Sequence, residues 1–434
     1  MKKKNRRWFI YLTSNFYPLA SSFYILTAIF YLLSSVTQAQ SLADYQIQAI
    51  ENNPGLQAKY KEFEAALERV ALAKGMPDPT LAVSAFGQMI ETRLGPQQAK
   101  FTLSQMFPWF GTLKAKGDAA ALLAEAEYQE FLDMRNKLNY RVAAAYYPLY
   151  ELHEWEKAEK ENMEILTSYK NIATKKYENG QGTLVDILRV DIMMKEAHTN
   201  LLVLDERKKP LRSLFNNVLN VDEKNEVIIA DTIKITPQLS AYSLDSIDAN
   251  HPKLKEFALK EAAMEMQEKA AIKQGMPQLG LGLDYVIIGK RPDIGPGMAA
   301  PKGNGKNVLM PMATMSIPIF RGKYRAAKKE AQIMKESYTF MKEETENEIR
   351  SDYEEAWFEI EKNKRYLNLY EQQIFQTNQV LTLQLKSYGN EGTDFDEILR
   401  TLQQLLQYKK LNATATINYK IEEARLNYIT AKNY

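Results

Sequence analysis

The stretch Tyr388-Gly-Asn-Glu-Gly-Thr-Asp-Phe-Asp-Glu-Ile-Leu-Arg400 has a near-copy earlier in the chain, Tyr177-Glu-Asn-Gly-Gln-Gly-Thr-Leu-Val-Asp-Ile-Leu-Arg189. In both copies Gly, Asn and Thr interrupt a long helical pattern, and an Ile-Leu-Arg restart follows at the same distance. Such a break predicts a tight turn between two antiparallel helices. A turn that joins very long helices lies at the far end of a rod, where exposed glycines and acidic side chains are candidates for function. Two such turns indicate a chain built from two halves.

The N-terminus is typical of an exported protein. Met1-Lys-Lys-Lys-Asn-Arg-Arg7 is basic, residues 20–33 are apolar, and Ser34-Ser-Val-Thr-Gln-Ala39 is rich in small residues. This order predicts a signal peptide over residues 1–39, removed after Ala39. A retained membrane anchor is the alternative, but the apolar core is shorter than the roughly 20 residues that a spanning helix needs.

Composition excludes several classes of protein. The chain has 434 residues and a net charge of +2, a balance that does not suggest a nucleic-acid partner. It contains no cysteine, which excludes disulfides, thiol catalysis, cysteine zinc sites and a lipidated N-terminal cysteine. After the N-terminus, no stretch is long and apolar enough for a membrane helix. If the mature protein spans a membrane, strands must do so.

The two halves repeat the same punctuation of secondary structure. In each half an N-cap residue and a proline start a helix, a Gly-Met-Pro ends it, and an apolar proline-containing segment ends the strands that follow. The paired segments are Asn53-Pro54 with His251-Pro252, Gly75-Met76-Pro77 with Gly275-Met276-Pro277, and Pro108-Trp-Phe-Gly111 with Ile317-Pro-Ile-Phe-Arg-Gly322. The chain is therefore predicted as a duplicated repeat of helix, strand hairpin, long helix, tip turn and returning helix.

The predicted limits follow from these signals. The first repeat covers residues 40–220, with a hairpin at about 79–108, a long helix at about 113–177 and a tip turn at 178–183. The second covers residues 251–434, with a hairpin at about 278–318, a long helix at about 323–388 and a tip turn at 389–394. Residues 221–250 form a connector with short extended segments. We expect polar hairpin loops at 91–98 and 289–306, and we expect Pro210 to interrupt the first returning helix.

The first long helix carries a coiled-coil pattern. Its seam recurs at 4-3-4-3 spacing over Leu138, Val142, Ala145, Leu149 and Leu152. At 1.5 Å per residue this helix would span on the order of 100 Å.

The third strand alternates most cleanly. Leu279, Leu281, Leu283 and Tyr285 lie on one face, and Gly280, Gly282 and Asp284 lie on the other. Four strands with one apolar face cannot close alone, because membrane barrels use at least about eight strands and tolerate no open edge. Three copies of four strands would supply twelve strands, an allowed even number.

With this ordered duplication and its Tyr-x-x-Gly and Tyr-x-x-Glu-Gly tip turns, the chain resembles the TolC-like outer-membrane efflux family over essentially its whole mature length. The segment Gln105-Met-Phe-Pro-Trp-Phe-Gly111 is similar to the branch that serves heavy-metal pumps. Two features depart from the family: the missing lipidated cysteine, and Glu391 where the family usually has Gly.

The resemblance implies an α+β membrane protein that is not an enzyme. Its expected form is a homotrimer with a twelve-stranded β-barrel in the outer membrane of a Gram-negative bacterium, continued through the periplasm by an α-helical coiled-coil tube. Its expected partners are a periplasmic adaptor (membrane fusion) protein, an inner-membrane pump of the RND type and outer-membrane lipid. The expected function is a passive exit duct for small molecules or metal cations.

The resemblance also assigns candidate functional residues at the tips. A periplasmic constriction is expected at Asp186, Tyr388, Asp396, Glu397 and Arg400, with Arg189 as a further ion-pair partner. Acids repeated around a threefold axis would form a ring that favours cations. Adaptor contacts are expected at Gly180, Gly182, Thr183, Gly392 and Thr393. The alternative is that Asp186 and Asp396 are only helix-start acids favoured by the helix dipole.

No other motif indicates chemistry. His153, His198 and His251 are too scattered for a metal site. Met310, Met312 and Met315 have thioethers suited to Cu(I), but apolar barrel surface is the preferred interpretation. We find no catalytic set and no cofactor motif.

Other functions remain open from the residues. They are an exit duct for type I protein secretion and a structural coiled-coil scaffold of the envelope. An adaptor of the same pump would need a larger β domain than residues 221–250 allow.

Overall fold

The computed structural model describes residues 41–229, 233, 235, 250–389 and 394–432. The predicted signal peptide and most of the connector therefore lie outside the described residues, as do Gly392 and Thr393. In chain order the elements are α1 (Leu42–Asn52), α2 (Pro54–Lys74), β1 (Thr80–Thr92), β2 (Gly95–Phe107), α3 (Thr112–Glu178), α4 (Leu184–Leu219), α5 (Pro252–Gln274), β3 (Gln278–Ile288), β4 (Val308–Ser316), α6 (Gly322–Gly389) and α7 (Phe395–Ile429).

In both repeats the predicted cap starts the helix that precedes the strands. The Asn53 side chain accepts a hydrogen bond from the backbone N–H of Leu56 at 3.0 Å, and Pro54 stands at the first helical position. In the second repeat His251 Nδ1 accepts from the backbone N–H of Lys253 at 3.2 Å. Each cap satisfies a helix N–H that has no partner within the helix.

The helices form two side-by-side rows that share α3 and α6. Near the sheet the order is α2, α3, α5, α6, and toward the tips it is α4, α3, α7, α6. The 67-residue α3 is long enough to belong to both rows. The five residues of its predicted seam are all buried. None of the described helices combines the length and the apolarity that crossing a membrane requires.

Among the described residues, three apolar cores hold these rows. One lies where α1, α3 and α4 meet and includes Tyr45, Tyr146 and Phe215. A second joins α5, α6 and α7 around Tyr353 and Tyr419. The third lies at the tip end of α3, α4, α6 and α7.

The prediction that Pro210 interrupts the returning helix is wrong, because α4 continues through it to Leu219. A proline inside a helix costs about 3 kcal/mol through its missing N–H and its ring. The turns beyond it bury Phe215, Val218 and Leu219 in the first core, at about 1.5–3 kcal/mol each. Burial of these side chains outweighs the cost of the proline.

The strands form one antiparallel sheet in the order β1-β2-β3-β4. The predicted loop at 91–98 is wrong, because Glu91 pairs with Pro96 and only Arg93 and Leu94 separate the two strands. The link between β3 and β4 is long, as predicted. The predicted extended segments of the connector are not strands over residues 225–229, which have irregular backbone.

Candidate functional site

The first tip turn is shaped by its glycines. Gly180 has φ +71°, a left-handed conformation that favours glycine. A Cβ atom on Gly182 would lie 3.1 Å from the Lys176 Cβ and from the Tyr177 backbone nitrogen, so the returning chain passes too close for a side chain. The turn brings the end of α3 and the start of α4 together in the shortest available space.

Asp186 closes a capping box at the start of α4. Its Oδ2 accepts hydrogen bonds from the Thr183 hydroxyl at 2.9 Å and from the Thr183 backbone N–H at 3.2 Å. In return the Thr183 Oγ1 accepts from the Asp186 backbone N–H at 3.3 Å. The Asp186 carboxylate and the Thr183 hydroxyl therefore both cap the start of α4. This is the role that the helix-start alternative assigns to Asp186.

Asp396 has a different role at the start of α7. Its Oδ2 lies 2.8 Å from Arg400 Nε on the same helix, and its Oδ1 pairs with Arg189 of α4. The second pair ties the returning helices of the two repeats together. Thr183 and Asp394 are the N-caps of their helices, so Glu397 stands at the position of Asp186, and Asp396 stands at the position of Val185. Glu397 is exposed.

Tyr388 is held by a residue that sequence reasoning missed. Lys176 Nζ donates to the Tyr388 carbonyl oxygen at 2.6 Å and lies 3.8 Å from the centre of its ring. The ring also packs on Phe395, with centroids 5.1 Å apart. Burial raises the pKa of the Tyr388 hydroxyl, and the nearby carboxylates of Asp186 and Asp394 raise that pKa further. A lysine in the last turn of a helix is a common C-terminal signal, but it does not identify a tyrosine partner on another helix.

Polar contacts therefore link four helices at the tip. Lys176 joins α3 to α6, Arg189 joins α4 to α7, and Lys170 joins α3 to Asp191 of α4 at 2.6 Å. The apolar core beneath these polar links includes Phe395, Ile398 and Leu402. Such links are partly exposed and weak singly, so most of the stability of this end comes from the apolar core.

The sheet has one apolar and one polar face. Asp284 is buried between Lys100, at 2.6 Å from its Oδ2, and the Thr102 hydroxyl, which donates to its Oδ1 at 2.6 Å. The preferred interpretation of the methionines as apolar surface is wrong for two of them. Met310 pairs with Asp284 and Met312 with Gly282, so both share the polar face, whereas Met315 pairs with Leu279 on the apolar face.

Gly280 and Gly282 make room for the methionines on this polar face. A Cβ atom on Gly280 would lie 2.4 Å from Met106 Sδ, and one on Gly282 would lie 2.8 Å from Met312 Cε. In the part of the chain that the structure describes, no three His, Asp or Glu side chains are grouped as a metal ion would require.

A family model matches part of the sequence, and solved structures match the fold. Residues 47–209 match the family model described as "Outer membrane efflux protein". No curated protein sequence matches the chain.

Among solved structures, the outer-membrane channel OprN is 17% identical with a TM-score of 0.71, and the match covers 90% of each chain. VceC of Vibrio cholerae is 15% identical with a TM-score of 0.68, covering 90% of this chain and 95% of that one. CusC, described with its transmembrane channel formation, is 13% identical with a TM-score of 0.72, covering 90% and 91%.

These identities are too low to carry more than the fold, and the family match covers the first repeat. The two findings agree with each other and with the resemblance that the sequence carries. Residues 47–209 thus match the outer membrane efflux protein family, and the described chain has the fold of solved outer-membrane channels.

Proposed function

We propose that three copies of this chain form a passive exit duct of a tripartite efflux pump. Four strands from each copy would close a twelve-stranded barrel, and the helix rows would close a coiled-coil tube beneath it. The tip turns would meet a periplasmic adaptor, which connects the duct to an inner-membrane pump of the RND type. Small molecules or metal cations would leave through this duct.

The observation that carries this proposal is that each layer ends in open edges with apolar side chains. β1 and β4 are the two edges of the sheet. In the row near the tips, α4 and α6 are the edges, and exposed apolar residues lie on both: Leu184, Leu188 and Ile192 on α4, and Phe375, Val380 and Leu383 on α6.

The α4 edge differs from the α6 edge, and β1 differs from β4. A contact between two identical edges would therefore leave the other edge of each copy exposed. A head-to-tail contact that places the α4 edge of one copy on the α6 edge of the next, and β1 on β4, produces a closed ring. Unpaired strand edges are not tolerated in lipid, so closure is obligatory for a barrel.

The two sheet faces support the same arrangement. Leu279, Leu281 and Leu283 are exposed on one face, as contact with lipid requires. The other face carries the Lys100–Asp284 pair and Thr102, which suit a water-filled interior.

The absence of cysteine allows a direct test of ring closure. Leu188→Cys on α4 and Val380→Cys on α6 are introduced together, and a thiol-to-thiol crosslinker is added to detergent-extracted protein. Trimers should be the largest crosslinked product, and each single variant should give none. A monomer that keeps its strand content in detergent would contradict the proposal.

A second test concerns orientation. The link between β3 and β4 should face the cell exterior, so protease added to intact cells should cut within residues 289–307 and spare the tip turn at Gln181. Cutting at Gln181 with the link intact would require the opposite orientation.

A further inference from the structure

A cavity of about 440 Å³ lies on α3 between the returning helices α4 and α7, which hardly touch each other there. Its polar lining includes Glu159 and Asn162 of α3, Glu196 of α4, and Gln407 and Lys410 of α7. Glu159 stands nineteen residues before the end of α3 at Glu178, which places the cavity about 30 Å from the tip. It is therefore separate from the tip residues.

Glu159 is fully buried at this cavity, and its two oxygens differ. Oε1 accepts from Lys410 Nζ and from Asn200 Nδ2, the latter at 3.1 Å. Oε2 has no hydrogen-bond partner among the described residues. A buried carboxylate oxygen without a donor is unfavourable, so this atom favours a ligand that donates a hydrogen bond.

A second acceptor lies next to the first. Asn162 follows Glu159 by three residues, so both side chains emerge on the same face of α3. Asn162 is also buried, and its Oδ1 is likewise unpaired within the described part of the chain. Two acceptors on one wall call for a group with at least two donors.

The charges and the apolar lining identify the class of that group. Glu159 and Glu196 contribute two negative charges and Lys410 one positive charge, so the cavity has a net charge of −1. The rest of the lining includes Trp155, Met193 and Leu406, which offer an aromatic ring and apolar surface. A bare divalent metal ion would need about six oxygen ligands, more than these two free acceptors supply.

We propose that this cavity binds a small amphipathic organic ammonium ion. Its N–H groups would donate to Glu159 Oε2 and Asn162 Oδ1, and its apolar part would lie against Trp155 and Leu406. Because the ligand would touch α3, α4 and α7 together, it would link the returning helices of the two repeats. The inference rests on the cavity of a single chain and does not require the proposed duct.

Isothermal titration calorimetry of the full mature protein in detergent tests this site, with hexylammonium chloride as the probe and 1-hexanol as the neutral control. Hexylammonium should bind saturably with a Kd on the order of 1 mM or tighter, which is within the affinity of ligands of this size. Hexanol should bind at least about tenfold more weakly, the factor that corresponds to one charge-assisted hydrogen bond.

Asn162→Leu separates the site from folding. It removes an unpaired buried oxygen, so the variant should be at least as stable as the wild type and should bind hexylammonium about tenfold more weakly. Glu161→Gln is the matched control, since Glu161 lies on the same helix but pairs with Lys409 at 2.7 Å outside the cavity. Its affinity for hexylammonium should equal that of the wild type.

Three results would overturn the proposal. They are the lack of saturable hexylammonium binding, equal affinities for hexylammonium and hexanol, and an equal loss of affinity in Asn162→Leu and Glu161→Gln, which would indicate nonspecific attraction of a cation.

Discussion

The two tip turns have almost the same sequence, yet the helices that leave them are packed differently. α4 begins with Leu184 exposed, whereas the matching residue of α7, Phe395, is 2% exposed and packs on Tyr169 and Tyr388. Four residues later Leu188 is exposed and Leu399 is buried. The motif is repeated, but the neighbouring helices determine which side of the returning helix is covered.

The acidic residues show the same divergence. Asp186 is used entirely by its own helix start, while Asp396, which occupies the position of Val185, reaches across to Arg189. The start of α7 therefore faces the inside of the chain, and the start of α4 faces outward. We infer that the first tip is the one available to another copy or to an adaptor.

The largest expected effect contrasts the two first residues of the helices. Phe395→Ala should lower the stability of the tip by about 3–5 kcal/mol, since it leaves a cavity in the core. Leu184→Ala should cost less than about 0.5 kcal/mol in the isolated chain because its side chain is already in solvent. Hydrogen exchange of the amides in the first turns of α4 and α7 measures both. A large effect of Leu184→Ala only in the assembled protein would identify its covering partner as another copy.

The next effect concerns the two helix starts, where the repeats carry Asn53 and His251. Burial, with a smaller contribution from the charge of Lys253, lowers the pKa of His251 to about 4. The folded state thus binds fewer protons than the unfolded state between about pH 6.5 and pH 4. Stability from this group is complete above about pH 6.5 and decreases by about 3 kcal/mol as the pH falls toward 4.

Protonation would also remove the acceptor that caps the Lys253 N–H. His251→Asn keeps a cap of the kind found at Asn53 and removes the titration. Chemical denaturation at pH 7 and pH 4.5 should show a smaller difference for this variant than for the wild type. An unchanged difference would assign the pH dependence instead to carboxylates with lowered pKa values, such as Glu156, whose pKa the hydrogen bond from Lys160 lowers.

A smaller effect distinguishes Asp396 from Glu397. Asp396→Asn removes two partly exposed ion pairs worth about 1 kcal/mol each, so it should destabilise the closed tip by about 1–2 kcal/mol. In planar bilayers the leak conductance should increase, and the cation selectivity should decrease. Glu397→Gln is the matched control and should change the conductance little. The difference between the variants should shrink in 1 M salt, where screening extends over about 3 Å. Equal effects of the two variants would mean that net charge, and not the Arg189 pair, holds the tip.

The smallest effect tests the residue that sequence reasoning missed. Lys176→Met keeps the length of the side chain and removes the cation over the Tyr388 ring and its hydrogen bond. We expect a loss of about 0.5–1.5 kcal/mol in the local stability at the end of α6, seen as faster amide exchange there. Lys175→Met is the control, as it lies in the same last turn of α3 without a contact to Tyr388 among the described residues.

The sequence predicted the elements well where the signals were local. These signals act through contacts within a few residues. Asn53-Pro54 determines a helix cap, the Gly-Met-Pro segments determine helix ends, and the 4-3-4-3 spacing determines a buried stripe. The prediction that Pro210 interrupts α4 was wrong because the free-energy cost of a proline is local. The burial of Phe215 and Leu219 that compensates for this cost comes from contacts with distant helices. The predicted loop at 91–98 was wrong because polar residues there continue the two strands, which are joined by a two-residue turn.

The functional residues were harder to predict because they depend on contacts between helices. The motif suggested Asp396, Arg400 and Arg189 as partners, and the pairing between them needed the structure. Lys176, Glu159 and Asn162 have no sequence signal, since each acquires its environment from residues more than 30 positions away or from a cavity between helices.

The turn of the first hairpin has a consequence for protein engineering. The long link folds over that turn: the Gly289 N–H donates to the Pro96 carbonyl at 2.8 Å, and the Gly305 N–H donates to the Leu94 carbonyl at 2.7 Å. The two connections therefore form a single surface at the outward end of the proposed duct, anchored at both ends of the link. Gly297, near the middle of the link, has open space around it. An epitope tag inserted there should be displayed on living cells, whereas one inserted at Gly95 should prevent the hairpin from forming.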